Sequence, residues 1–225
     1  MIEKYSDYFP GDPGYKFEVL PLDGSFVKTA GIENYSAELL NKIATLSKDS
    51  DLLYALVNAL GAQEYFSSNR NADGFPEEAL KKYHPTFVEK GFVYQHHINK
   101  DPRKKLGNIH FSHYNPKMHR VELIISLDRK IPDAAKVIKR IEDGNYVATS
   151  MGSRVPYDEC TICRNRAKTR ADYCDHMKHS ANKILDDGRK VFAINAHPQF
   201  FDISIVIIPA DKTSGIMVPH LETLQ

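Results

Sequence analysis

The chain has 225 residues, of which 42% are hydrophobic, enough for one large domain or two small ones with a buried core. Thirty basic and 29 acidic residues leave a formal charge of +1, so the composition gives no global electrostatic reason to expect binding to nucleic acid or to an anionic membrane. There is no apolar run of about 18 residues, and the first residues lack the apolar segment of a secretory signal. We therefore expect a cytosolic protein that does not enter a membrane.

The first 25 residues are rich in Tyr, Pro and Gly without a sustained period, and we expect an irregular N-terminal arm at residues 1–25. Residues 35–61 then show apolar positions at helical spacing, which predicts two helices broken near "SKDSD". A core-facing first helix explains the first stripe, with a homodimer surface as the alternative. The two stripes are Leu39, Leu40, Ile43 and Leu46, followed by Leu52, Leu53, Leu56, Val57 and Leu60.

Two further helices are predicted to begin at proline, one after Pro76 and one at Pro132, the second ending before Gly144. Short runs rich in β-branched and aromatic residues, separated by turn residues, predict strands between and after them. These runs are "FVYQHH", "GNIHFSHY", "RVELIISLD", "NYVATSM", "KVFAIN" and "FFDISIVII". The order predicts an α+β fold with a mostly β core rather than a regular βαβ alternation.

All three cysteines lie within fifteen residues, in the pattern Cys160-x2-Cys163-x10-Cys174-x-His176. Three cysteines cannot form a closed set of disulfides, whereas three thiolates and an imidazole are a donor set that zinc favours. A closed Cys3His set leaves no position for water, so the predicted site is structural. His179 is the competing fourth ligand. We interpret residues 156–188 as an inserted zinc-binding module.

Basic residues occupy alternate positions in the linker between the second and third cysteines: Arg164, Arg166, Lys168 and Arg170. Such a run can contact nucleic acid, but a solvated surface that also offsets thiolate charge is the more common explanation. We favour the solvated surface and expect no nucleic-acid partner.

Ser150 ends a β-like run and precedes Gly152, where the backbone could turn and expose its amides. A nucleophilic serine needs a base, and histidine is the usual one because its ordinary pKa of about 6.5 suits proton transfer at neutral pH. The chain has ten histidines, so the pattern does not choose among them. On pattern alone, a buried structural serine is the simpler explanation.

Three segments, in order, resemble the head-maturation (prohead) proteases of tailed bacteriophages, serine proteases that share the fold of the herpesvirus assemblins. They are "NRNADGFPEEALKKYHPTFVEKGFVYQHHINKDPRKKLGNIH", "ATSMGSRV" and "FFDISIVIIPADKTSGIM". The first is similar to the family's early block with its catalytic histidine, the second to its Ser-x-Gly strand, and the third to a late strand with an acidic residue before Ser-aliphatic-Val. The cysteine module, inserted between the second and third segments, departs from the simplest members.

The resemblance implies that Ser150 is the nucleophile, His97 the general base and Asp202 the group that orients the histidine. His97 is preferred to His96, and His110 or His113 could replace Asp202 as the third member. Backbone amides at residues 152–154 are our hypothesis for an oxyanion hole, based on their position after the serine. The implied fold is an assemblin-like, mostly antiparallel β-barrel with surrounding helices, as a protease domain over residues 26–225 that contains the zinc insertion.

The leading hypothesis is therefore a serine endopeptidase that cleaves scaffold and major capsid proteins, and also itself, inside the assembling procapsid in the host cytoplasm. A homodimer is an open possibility for such a fold. The alternative is a catalytically inactive capsid or scaffold component that keeps the fold and the structural zinc site. A zinc-dependent nucleic-acid-binding protein is a third hypothesis, disfavoured by the near-neutral composition.

Overall fold

The computed structural model of the chain describes residues 2–4, 36–46 and 49–218. Its helices are α1 Ala37–Thr45, α2 Gln63–Phe66, α3 Glu77–Tyr83, α4 Thr86–Lys90, α5 Pro132–Glu142 and α6 Asp175–Ser180, with 3-10 turns at Pro102–Lys104 and Arg170–Asp172. Its strands are β1 Ile2–Lys4, β2 Leu52–Gly61, β3 Asp73–Gly74, β4 Phe92–Gln95, β5 Gly107–Asn115, β6 Arg120–Asp128, β7 Ala148–Val155, β8 Asp158–Cys160, β9 Arg166–Ala167, β10 Ala193–Ile194, β11 Gln199–Val206 and β12 Gly215–Val218.

Seven strands form a closed barrel in the order β7-β11-β4-β5-β6-β2-β12, which the pairing of β12 with β7 completes. Neighbouring strands run antiparallel except β4 and β11, which are parallel. Strand β1 pairs with the edge of β7 that lies opposite β11. Closure gives the barrel strands partners on both sides and so satisfies their backbone polar groups. The predicted α+β class with a mostly antiparallel barrel and surrounding helices is confirmed at this level.

The second helix predicted before Gly61 is wrong, because Leu52–Gly61 is strand β2. Apolar positions spaced like a helix face also occur in a strand whose two faces are both covered, and periodicity alone does not separate these cases. One face of β2 points into the main core through Leu53 and Val57, while Tyr54 and Leu56 on the other face pack with α1. Tertiary packing therefore decided the structure of this segment.

Helix α1 is confirmed, with its N-cap at Ser36, whose side chain accepts a hydrogen bond from the Leu39 amide at 3.1 Å. Leu39 and Ile43 are buried against Tyr54 and Met217, so the predicted stripe faces the protein core. The alternative of a dimer through this stripe loses its main support, although the homodimer itself stays untested.

The two helices predicted to start at proline are also confirmed, as α3 and α5. The buried side of α5 carries Val137, Ile138 and Ile141 into the barrel core. Gly144 follows the helix with φ of 79°, a left-handed conformation that glycine adopts without steric cost. The six predicted strand runs each contain all or part of an observed strand, namely β4, β5, β6, β7, β10 and β11.

A second, four-stranded sheet in the order β3-β10-β8-β9 lies in the region predicted as the metal module. Its core is small: Cys160, Met177, Val191 and Ala193. The sheet includes β10 and β3, which lie outside the predicted 156–188 insertion, while the domain limits proposed from sequence stay a prediction.

The predicted arm at residues 1–25 lies outside the described residues except for 2–4. Within the described ranges, no helix is long and apolar enough to cross a membrane.

Candidate functional site

Strands β7 and β11 bring three polar residues to the same face of the barrel sheet. Ser150 pairs directly with Ser204, and Gly152 pairs with Asp202. Because directly opposed residues in antiparallel strands project to the same side, Ser150, Ser204 and Asp202 share one face. Ile203 and Ile205 alternate with them and point into the main core. The polar face is therefore the one directed away from that core.

His97 reaches this face from the turn that follows β4. Its Nδ1 lies 2.5 Å from Asp202 Oδ2, and the two side chains are 1% and 0% exposed. Its backbone amide donates to Ser204 Oγ at 3.2 Å. His96, by contrast, is exposed. The structure thus brings His97, rather than His96, against Asp202.

The turn that carries His97 has an unusual backbone. His96 and His97 have φ values of 47° and 55°, the left-handed region that costs a non-glycine residue roughly 1–2 kcal/mol. The His96 amide donates to the Ile205 carbonyl at 3.0 Å, and the His97 amide to Ser204, so β11 holds the turn in place. Local strain of this kind clusters at functional sites, which motivates a functional hypothesis for His97.

Asp202 accepts hydrogen bonds from three groups. Besides His97, Asn99 Nδ2 donates to Oδ2 at 2.9 Å and Ser204 Oγ donates to Oδ1 at 2.8 Å. Both carboxylate oxygens therefore have partners that fix the carboxylate plane. This arrangement is the one needed to hold an imidazole in a single orientation through its Nδ1.

Gly152 leaves room for the Asp202 carboxylate. A Cβ atom built on Gly152 would lie 3.1 Å from Asp202 Cβ and 3.2 Å from its Oδ2. Both distances are shorter than ordinary side-chain contacts, so a larger residue at position 152 would push on the carboxylate. The close packing of Asp202 therefore explains why a glycine suits this position of the Ser-x-Gly run.

The chemical capacity of this face follows from the histidine geometry. An imidazole whose Nδ1 donates to a carboxylate keeps Nε2 as its basic nitrogen, and the carboxylate stabilises the ring when Nε2 takes up a proton. Ser150 supplies a hydroxyl on the same face and is 3% exposed. Together these residues could perform base-assisted nucleophilic chemistry, while their catalytic roles stay predictions.

The two alternative third members lie elsewhere. His110 Nε2 is 2.8 Å from Ser126 Oγ on β6, and His113 Nδ1 is 3.3 Å from Glu38 Oε2 on α1. Their observed partners therefore belong to β6 and α1, whereas Asp202 is the residue in contact with His97.

The backbone after Ser150 does not turn as expected. Strand β7 continues to Val155, and Ser153 and Arg154 pair with β11 on one side and β1 on the other. Amides in a strand with neighbours on both sides belong to the sheet ladder. The expected turn after Ser150 is therefore absent. Ser153 and Arg154 have strand neighbours on both sides, whereas Gly152 has no partner within the described residues of β1, and the oxyanion-hole hypothesis stays a prediction for its amide.

A surface depression adjoins Ser150 and Met151. Its lining includes the buried apolar residues Ala59, Leu60 and Phe75. Its polar lining residues include Asp211 and four residues of one segment, Ser67, Asn69, Asn71 and Asp73, which we call the rim. The enclosed space is about the size of one water molecule, so the depression marks where the candidate nucleophile meets the polar segment 67–73 and is not a preformed ligand pocket.

The four predicted metal ligands come together. The ligand atoms of Cys160, Cys163, Cys174 and His176 all lie within 4.8 Å of one another, and Cys174 Sγ is 3.9 Å from His176 Nδ1. These separations fit donors around one tetrahedral ion. His179 lies on the same helix but is exposed and is not part of the cluster. The cluster is compatible with a metal site, and His176 is the histidine that it contains.

The thiols of the cluster differ in their surroundings. Burial raises the pKa of Cys160 to about 11. The pKa of Cys163 is lowered to about 7, first by a backbone hydrogen bond from Asn165 and then by the His176 side chain. A metal ion binds thiolates, so both cysteines would lose their protons on binding it. The exposed Cys163 is the one closest to that state at neutral pH.

The basic linker residues point to solvent, as predicted. Arg164 and Arg166 are exposed and pair with Glu159 at 3.1 and 2.8 Å. Lys168 and Arg170 are exposed as well. Ion pairs within the module account for part of this charge, which agrees with a solvated surface.

Sequence reasoning missed Asn99 and Ser204, which hold Asp202, and the Asn69–Asp73 rim of the depression. Ser204 had a signal, since it lies two residues after Asp202 in a predicted strand and must share its face. Asn99 and the rim residues lie in irregular segments, where spacing gives no register.

Comparisons with known proteins add no assignment: no protein-family model, no curated protein and no solved structure matches this chain.

Proposed function

We propose that this protein is a serine endopeptidase that works in the maturation of phage proheads. The observation that carries the proposal is the buried His97–Asp202 pair on the sheet face that also bears Ser150. A closed barrel with surrounding helices is also the fold that the resemblance to the prohead proteases leads us to expect. Scaffold and major capsid proteins are the proposed substrates, with self-processing, inside the assembling procapsid in the host cytoplasm.

The proposed reaction is peptide hydrolysis through an acyl-enzyme. His97 Nε2 takes the proton of Ser150 while Ser150 Oγ bonds to the scissile carbonyl carbon, and Asp202 stabilises the imidazolium. The carbon–nitrogen bond then breaks, and the imidazolium gives its proton to the leaving amine. Water attacks the ester with His97 again as base, which releases the acid product and restores Ser150. Asn99 and Ser204 keep the carboxylate in place throughout.

We further propose that the Cys3His cluster binds zinc in a structural role. Four soft or borderline donors complete a tetrahedron and leave no position for water. The proposed hydrolysis would then be performed by Ser150, His97 and Asp202, and the metal would stabilise the module. Metal analysis of the purified protein should give about one zinc per chain, and Cys174→Ser should lose it.

The experiment that tests the hydrolase proposal uses a fluorophosphonate probe, which bonds to activated serines, followed by peptide mapping. Wild-type protein should be labelled at Ser150, and Ser150→Ala should not be labelled. Ser153→Ala is the matched control, because Ser153 is another buried serine of β7 that pairs with Phe200 of the core. It should keep the label.

Substrate cleavage is then followed by mass spectrometry with capsid or scaffold precursor and with the chain itself. Cleavage by wild type and by Ser153→Ala, but not by Ser150→Ala, supports the proposal and gives the cleavage sites. A folded, zinc-loaded wild type that neither takes the label nor cleaves would refute it. That result would favour the inactive capsid component. The near-complete burial of Ser150 would then be explained by a structural role for this serine.

A further inference from the structure

The rim of the depression beside Ser150 is attached to the metal module. Residues 67–74 lead into β3, which pairs in parallel with β10 of the small sheet. The Ala193 amide donates to the Ala72 carbonyl at 2.8 Å, and the Asn195 amide to the Gly74 carbonyl at 2.9 Å. Asn195 Nδ2 also reaches Asp73 Oδ1 at 3.3 Å. Strand β10, which lies just after the module in the chain and pairs with its strand β8, therefore holds the end of this segment by backbone pairing.

Asn182 holds the beginning of the same segment with its side chain. Its Nδ2 donates to the carbonyls of Asn69 and Arg70 at 3.1 and 3.0 Å, and its Oδ1 accepts from Ser68 Oγ at 2.7 Å. One amide group thus joins three successive residues. Asn182 has φ of 64°, a conformation that Asn tolerates better than most residues, so the position suits this contact.

Asn182 lies close to the metal cluster along the chain. It follows α6, the helix that begins after Cys174 and contains His176, and its own amide donates to the Val191 carbonyl at 2.8 Å. The module has only a small apolar core. A unit with so little buried apolar surface needs a metal or a cross-link to hold its shape.

We propose that the metal module positions residues 67–74, the rim of the depression beside Ser150, and that Asn182 is the positioning residue that transmits metal binding to this rim. The ordering of the rim does not depend on the hydrolase proposal, whereas its consequence for substrate binding rests on it. Ser150 lies on β7 and His97 in a turn that β11 holds, both outside the module, so loss of the metal changes the rim more than the residues that perform the proposed chemistry.

The test is hydrogen exchange of the full-length chain, read at the amides of Asn69, Arg70, Ala72 and Asp73. Each of these amides is hydrogen-bonded in the folded protein. Asn182→Gly keeps the left-handed backbone and removes the side chain, so these amides should exchange at least about 10-fold faster while zinc remains bound. Removal of zinc with a chelator should give the same acceleration, and added zinc should reverse it.

Two further variants control this experiment. Lys183→Ala changes the neighbouring exposed residue, whose Nζ contacts the His179 carbonyl, and should leave the rim exchange unchanged. Ser68→Ala removes one hydrogen bond from outside the module and should accelerate exchange by about 2- to 5-fold, even if Asn182→Gly fails to fold. Rim exchange that is unaffected by chelation and by both Ser68→Ala and Asn182→Gly overturns the proposal, as does equal acceleration in Lys183→Ala.

Enzyme kinetics with a peptide substrate provide a second measurement. Asn182→Gly should raise KM for a peptide substrate by about 3- to 10-fold with kcat within about 2-fold of wild type. Labelling of Ser150 by the small fluorophosphonate probe should be preserved. If the wild-type protein is not labelled at all, the hydrolase proposal is refuted, but the hydrogen-exchange result remains valid. An unchanged KM together with accelerated exchange refutes the proposed role in substrate binding.

Discussion

The barrel and the metal module hold their functional groups by different means. The barrel places Asp202 on β11 and His97 in the turn after β4, and its strands and helices share a continuous core of 27 buried residues that includes Phe87 and Phe200, stacked at 4.4 Å. The module has four residues in its buried cluster, of which Cys160 is itself a candidate metal ligand. Hydrophobic burial can stabilise the first region alone, whereas the second would depend on the ion that we propose for its Cys3His cluster.

This difference separates two kinds of sensitivity. A region stabilised by many small contacts loses a fraction of its stability with each substitution. A region organised around one ion loses its structure when a single ligand is removed. The two regions should therefore respond independently, except where Asn182 joins them.

The largest effect is expected from removing one metal ligand. Cys174→Ser should abolish zinc binding, which in structural sites corresponds to an apparent binding free energy of about 10–16 kcal/mol. Hydrogen exchange should show loss of protection in α6 and β8, while β5 and β6 of the barrel keep theirs. His179→Ala is the control, because His179 lies outside the cluster and should leave zinc stoichiometry unchanged. Retained zinc in Cys174→Ser would contradict the ligand assignment.

The second-largest effect is expected from removing the carboxylate that contacts His97. Asp202→Asn should lower kcat by about 10,000-fold, the scale found when the carboxylate of a catalytic triad becomes an amide, because the imidazole loses its orientation and its charge partner. Zinc stoichiometry should remain at the wild-type value. Activity within about tenfold of wild type would remove Asp202 from the mechanism.

A core substitution in the barrel should act on stability rather than on the metal. Phe200→Ala removes a fully buried ring that stacks on Phe87, and such changes typically cost about 3–5 kcal/mol in the free energy of unfolding. Denaturant unfolding measures this loss, and metal analysis should find zinc still bound. Met177→Ala, in the module cluster, provides the comparison and should leave barrel unfolding nearly unchanged.

The smallest effect is a pH dependence of barrel stability. Burial, and next the neighbouring His113, lower the pKa of His84 to about 4, while its Nδ1 lies 2.9 Å from Ser112 Oγ. Between pH 6.5 and 4 the unfolded chain binds a proton that the folded protein does not, so the free energy of unfolding falls as pH falls through this window. Because His84 is only partly buried and solvent screens its charge, the loss is well below the roughly 3 kcal/mol that the full shift would give.

The variant His84→Gln isolates this contribution. It can keep a polar contact with Ser112 but has no group that titrates. Its free energy of unfolding should decline less than that of wild type between pH 6.5 and 4. Parallel curves for the two proteins would show that His84 does not titrate as its burial leads us to expect.

How much the sequence revealed depended on whether a signal was local. Pro76 and Pro132 mark helix starts within one turn, and both helices are found where predicted. Strand β2 was mistaken for a helix because its two covered faces are a property of the whole barrel. Closure of the barrel through β12, a strand of four residues, had no local signal either.

The same distinction applies to the candidate site. The metal cluster was predictable because all four ligands lie within 17 residues, positions 160–176. The placing of His97 against Asp202 came from a resemblance, since strand pairing between distant segments is not encoded in their spacing. Asn99 and Asn182 act from loops, whose conformation depends on what they contact.

His97 and Asp202 are 105 positions apart, and the parallel pairing of β4 with β11 brings them together. During synthesis on a ribosome, the chain that carries His97 and Ser150 emerges before residue 202 exists. A contact of such long sequence separation forms only after the intervening chain has been ordered. The proposed acid–base pair therefore forms only after residue 202 has been synthesised, and a nascent chain that ends before β11 lacks the carboxylate partner of His97.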